Sequence, residues 1–143
     1  MSVIKKSNIK FLVGLFCLFT TTVSFAEVAV IVNKANNATI ADSDISRVFL
    51  GKVKAFSNGD KITVINLKFK KPARNEFEDK VLNKSASQVK AYWSKLMFSG
   101  KGKPPKEFAS DKDVLAFVAA NQGAIGYIEA ASADGSVKVI KTF

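Results

Sequence analysis

The sequence predicts an α/β fold with a central mixed sheet of about four or five strands flanked by helices. Three observations lead there. Apolar, β-branched runs (EVAVIV, KITVINL, AIGYIE, SVKVIK) alternate with stretches whose apolar residues recur at helical spacing. Glycine, proline and asparagine cluster between those segments, where chain reversals are needed. Residues 27–143 also suffice for one domain with a real core, since domains run to about 100–150 residues.

Glu27 to Val32 is apolar without helical period and reads as a first strand buried on both faces. After the polar stretch Asn33 to Thr39, Asp42 or Ser43 is suited to cap a short helix. That helix carries Ile45, Val48 and Phe49 on one face and stops at Gly51. The turn Asn58-Gly59-Asp60 introduces a second strand, Lys61 to Leu67. Pro72 fits the first position of a helix with Phe77, Val81 and Leu82 behind it. Ser85 opens another helix, Ala86 to Phe98, with Val89, Tyr92, Trp93, Leu96 and Met97 as its apolar stripe. Ser99 to Ala109 (SGKGKPPKEFA) reads as an irregular loop. Ser110 caps a helix with Val114, Leu115, Phe117 and Val118 that ends near Asn121–Gly123. Ala124 to Glu129 and Ser136 to Lys141 are the last two strands.

Residues 1–26 have the parts of a secretory signal: Lys5, Lys6 and Lys10, then the apolar run Phe11 to Leu18, then Ser24-Phe25-Ala26. Cleavage is expected near Ala26–Glu27, leaving residues 27–143 as a periplasmic domain; an uncleaved amphipathic anchor is the competing reading. The apolar run is too short to span a bilayer. The sole cysteine, Cys17, lies inside that run and leaves with the signal, so no disulfide or thiol chemistry is expected of the domain. The leader holds three of the 22 Lys and Arg and none of the 12 acids, so 19 against 12 leaves residues 27–143 at +7.

A basic surface favours anions or acidic partners, or simply keeps the protein soluble. No aromatic residues interleave with the basic ones as a nucleic-acid stacking platform requires, so nucleic acid is not an expected partner. With no histidine, Ser-His or Cys-His nucleophiles and His-ligated zinc are excluded. No Ser-x-x-Lys or nucleophile-elbow motif appears, and no enzymatic activity, cofactor or metal is expected.

Several phrases occur in order: Asp44-Ile45-Ser46-Arg47-Val48-Phe49-Leu50-Gly51-Lys52, then a strand and a helix opening before Arg74, then Tyr92-Trp93, a Gly-Lys-Gly loop, and Gly123-Ala124-Ile125-Gly126-Tyr127-Ile128-Glu129. In this the chain resembles the periplasmic phosphate-binding proteins of ABC phosphate transporters, as a short, single-lobe relative. The resemblance covers nearly all of residues 27–143. It implies a periplasmic-binding-protein-like sandwich that binds phosphate or a similar oxyanion and serves a membrane permease or another periplasmic protein. The family carries a Gly-Ser-Gly-Thr-Arg-like stretch where a strand enters a helix. Here Lys70-Lys71-Pro72-Ala73-Arg74 stands in that place, matching only at Arg74.

A helix N-terminus offers free N–H groups and the positive end of its dipole to an anion. The expected oxyanion site therefore comprises the N–H groups of Ala73 and Arg74, the charges of Lys70, Lys71 and Arg74, and Asn33 and Lys34 at the end of the first strand. A solvated lysine loop is the competing reading of the same residues. Lys101, Lys103 and Lys106 form a second basic loop. A single lobe leaves half of such a site open to water, where each hydrogen bond contributes little net free energy. A homodimer, or docking to another protein, would supply the missing wall. The missing Ser and Thr donors favour a second reading: an interaction or sensor module that keeps the fold and has lost the ligand.

Overall fold

The computed structural model describes residues 26–143. The expected signal peptide therefore lies almost wholly outside the described residues. Five strands and four helices follow in the order β1 (Val28–Asn33), α1 (Asp42–Phe49), β2 (Thr63–Leu67), α2 (Pro72–Lys80), α3 (Ala86–Phe98), β3 (Lys106–Phe108), α4 (Asp111–Ala120), β4 (Ala124–Glu129) and β5 (Val137–Thr142). The strands form one sheet in the order β3-β2-β4-β1-β5. It is mixed: β2 runs parallel to β3 and β4, whereas β1 runs antiparallel to β4 and β5.

Alternation along β4 shows how the layers form, because successive strand residues point to opposite faces. Gly126 faces α4. A Cβ there would come within 3.1 Å of Val114 Cγ1 and 2.9 Å of Ile65 Cγ1, so the missing side chain admits close packing. The next residue, Tyr127, faces the other way, where its ring stacks on Phe77 of α2 at 3.9 Å and lies 5.7 Å from Phe49 of α1. Helices thus cover both faces, and every residue of β1 is buried between them. A strand covered on both sides reads as an unbroken apolar run, which is what VAVIV supplies.

Pro72 takes the first position of α2, and Ser85 caps α3 in a reciprocal capping box with Gln88. Ser110 caps α4 by accepting from the Asp113 N–H. Three expectations need correction. The N-cap of α1 is Ala41, with no side-chain bond, in place of Asp42 or Ser43. Lys106–Phe108, expected as loop, is an edge strand on β2; three residues are too few to show an alternating pattern, and two prolines precede them. Met97, expected on the buried stripe of α3, is 51% exposed.

Candidate functional site

The registers decide whether the expected site residues meet. Thr63 of β2 stands beside Ala124 of β4, while Val32 of β1 stands beside Ile125 and Val28 beside Glu129. The chain therefore leaves β1 and β2 at opposite ends of the sheet, roughly 15 Å apart along strands of about 3.3 Å per residue. Asn33 and Lys34 lie at one end and Lys70 to Arg74 at the other, so the structure does not bring them together. The expectation assumed that both strands run the same way, and β1 does not.

Asn33 is buried and fully used: its Nδ2 donates to the Val118 and Ala119 carbonyls at 2.8 and 3.0 Å, and its Oδ1 accepts from the Ala35 N–H. It ties the loop after β1 to the last turn of α4, satisfying carbonyls that a helix end leaves free. Lys34 is exposed and donates to the Gly135 carbonyl at 3.0 Å.

Arg74 departs most from its expected role. Its side chain is 3% exposed and turns inward, into the protein. Nε donates to Glu78 Oε1 at 2.6 Å and Nη1 donates to the Leu67 carbonyl at 2.7 Å, while Nη1 also forms an ion pair with Glu107 Oε1 at 3.2 Å. The Phe69 ring covers the guanidinium with its centroid 3.7 Å from Cζ. Burial alone would lower the pKa of Arg74, but the hydrogen bond and charge of Glu78 outweigh it, and the net shift is upward. The carboxylates of Glu78 and Glu107 thus stand where an anionic guest would have to bind this guanidinium. Glu78 Oε2, also buried, has no hydrogen-bond partner among the described residues.

The rest of the expected cluster stays at the surface. The Ala73 side chain is buried, whereas Lys70 and Lys71, just before α2 begins, are exposed. Lys70 holds a positive φ of 66°, a conformation that a non-glycine residue adopts only under local constraint. At the same end of the sheet, α4 begins with its own acids: Asp111 Oδ2 accepts from the Glu129 N–H, and Asp113 Oδ2 accepts from the Ser110 hydroxyl. That helix start is electrostatically matched from within.

Sequence reading missed Glu78 and Glu107 as partners of Arg74. The Arg74–Glu78 spacing of four was visible, but Glu107 depends on the edge strand β3. Also missed was the surface of α3. Two adjoining hollows run along it, one of about 400 Å³ bordered by Phe69, Lys70 and Lys90, the other of about 160 Å³ lined in part by Trp93 and Met97. On its other side, Lys54, Lys101 and Lys103 border a hollow of about 260 Å³. Among the described residues no cluster of three His, Cys, Asp or Glu could hold a metal ion.

No family model matches the chain, and no curated protein matches it. Solved structures do. An ABC-type phosphate transport receptor from Vibrio cholerae superposes with a TM-score of 0.63 at 21% identity, covering 82% of this chain and 47% of the receptor. The fold is that of the ABC-transporter phosphate receptors. A phosphate ABC transporter substrate-binding protein from Clostridium perfringens, solved with phosphate bound, gives 0.64 at 20% identity over 82% and 46% of the two chains. PstS from Borrelia burgdorferi gives 0.60 at 17% identity over 82% and 48%. The chain spans about half the length of these phosphate receptors, in keeping with the single lobe that its sequence suggested.

Proposed function

We propose that this chain is an exported, single-lobe protein of the phosphate-receptor fold that acts by docking another protein, in connection with an ABC phosphate transporter. One observation carries this reading: Arg74, the one match to the family's anion-binding stretch, is buried against Glu78 and Glu107. Releasing it to an external oxyanion would leave two carboxylates without their cation, one of them almost fully buried, a cost of several kcal/mol. Export is supported by the pattern of residues 1–26.

A second reading keeps phosphate as the ligand, held at the start of α2 by Lys70 and Lys71. It is favoured by the exposure of both lysines there and by two structural neighbours, a phosphate transport receptor and a substrate-binding protein solved with phosphate bound. Titration calorimetry of the purified protein with inorganic phosphate and sulfate separates the two, alongside affinity capture from exporting cells. The docking reading expects no heat and a stoichiometric partner. Heat with phosphate that Lys70→Ala with Lys71→Ala removes, and no partner, would install the second reading instead.

A further inference from the structure

Of the four large apolar side chains left exposed among the described residues, Met97 and Phe98 lie on α3 and Phe69 lies across from it. Ala86 and Ser87, then Lys90, Ser94 and Met97 at steps of three or four, form one wall of the two adjoining hollows, which share Phe69 and Lys90. Together these make one groove along roughly 16 Å of helix, at 1.5 Å per residue. The opposite wall is Phe69 with Lys70 at one end and Pro104 at the other, and Trp93 lies in the floor. At the Met97 end stands Phe98, 99% exposed and one turn beyond Ser94. Phe69 is 43% exposed and Met97 51%. Large apolar side chains left in water next to a concave apolar floor mark an interaction surface.

Charge selects the occupant. Lys70 and Lys90 border the groove, and neither has an ion-pair partner among the described residues. The sole acid in the lining, Glu107, is held by Arg74. A second copy of this basic chain would set lysine against lysine. A free phosphate would find an apolar floor, with the nearby guanidinium already taken.

We propose that this groove docks an acidic segment of another protein, with aliphatic or aromatic side chains seated against Phe69, Trp93, Met97 and Phe98 and its carboxylates facing Lys70 and Lys90. The proposal rests on the docking reading given above and names its surface. Apolar anchors hold such a segment, while the lysines speed and orient its approach, so binding weakens as salt rises.

Selection of short random peptides displayed on phage, against the protein purified from exporting cells, tests this without knowledge of the natural partner. The selected sequences are expected to be enriched in Asp and Glu around spaced apolar residues. Phe98→Ser, and Lys70→Glu with Lys90→Glu, should each weaken them at least about tenfold. Lys112→Glu, on the exposed side of α4, should leave them within about twofold. All these residues are exposed or at the groove's edge, and unchanged melting curves confirm that each variant folds. Selection of no binders, or of neutral or basic sequences, would overturn the proposal, as would equal binding by the groove variants. So would a protein dimer, or binding to phosphatidylglycerol vesicles, that the same substitutions abolish, since the groove would then serve a second copy or a membrane. If a stoichiometric partner captured from cells still binds the groove variants, the docking reading stands and only this surface for it is lost.

Discussion

The start of α2 and the outer face of α3 carry the same kinds of residue, cations beside aromatic rings, and their fates are opposite. At α2 the ring of Phe69 closes over Arg74, and two carboxylates hold the guanidinium inside. At α3 Lys90 stays unpaired among the described residues and Phe98 stands in water. The difference lies in acid placement. Glu78 one turn beyond Arg74 and Glu107 on the edge strand supply the counter-charge, and α3 (ASQVKAYWSKLMF) contains no acid at all. Positive charge therefore becomes architecture in one place and stays available for recognition in the other.

Breaking the buried pair should show the largest effect. Arg74→Ala strips Glu78 and Glu107 of their cation, and removal of one partner of a buried pair costs about 3–5 kcal/mol. Thermal or urea denaturation should register that loss. Arg74→Leu with Glu78→Leu should recover much of it, because an apolar pair of similar size needs no desolvated charge. If Arg74→Ala left stability unchanged and a ligand bound more weakly, the arginine would have to be facing solvent.

Tyr127 sharpens the same side of the comparison. Its hydroxyl donates to Asn66 Oδ1, and burial pushes its pKa well above the ordinary phenol value, with the positive charge of Arg74 opposing. The folded state thus favours the neutral phenol. Its contribution to stability is complete below about pH 10, where the unfolded chain's tyrosine also keeps its proton, and is lost as pH rises above that. Melting temperature against pH should fall less steeply above pH 10 for Tyr127→Phe than for the native chain. Near neutrality the variant should lose about 1 kcal/mol, the net worth of one hydrogen bond.

On the other helix, Ser85→Ala removes the side-chain acceptor for the Gln88 N–H. The expected loss is about 1 kcal/mol, measured by denaturation, because a capping box supports only its own helix start.

Much of the fold was legible for reasons that differ by element. EVAVIV and AIGYIE are apolar on both alternating faces and declare strands covered on both sides. Ser85 and Ser110 announce the helices they cap. Strand direction was not legible. The side-chain pattern of VAVIV is the same whether its neighbour runs parallel or antiparallel, and the site that joined Asn33 to Arg74 depended on that direction. The inward turn of Arg74 was half legible, since Glu78 at i+4 is a known pairing distance. Its burial also required Glu107, and Lys106–Phe108 reaches β2 only through a tertiary contact that composition around Pro104 and Pro105 does not reveal. Met97 fits an apolar stripe by spacing, but nothing in the described fold covers that end of α3.

The smallest expected effect bears most directly on how the two regions differ. Phe98 is 99% exposed, so in the isolated protein its ring gains almost no burial energy. Phe98→Ser should therefore shift the unfolding free energy by no more than about 0.5 kcal/mol, as surface substitutions commonly do. It should also lower any tendency to aggregate, because one apolar surface group is gone. A loss of more than about 1.5 kcal/mol, the least that burying a phenylalanine fully contributes, would mean that the ring is covered within the protein in solution. The face of α3 would then be structural like the start of α2, and the contrast between them would disappear. A near-zero change leaves a large apolar side chain held in water with no return to the fold, on a helix whose charged residues are all positive.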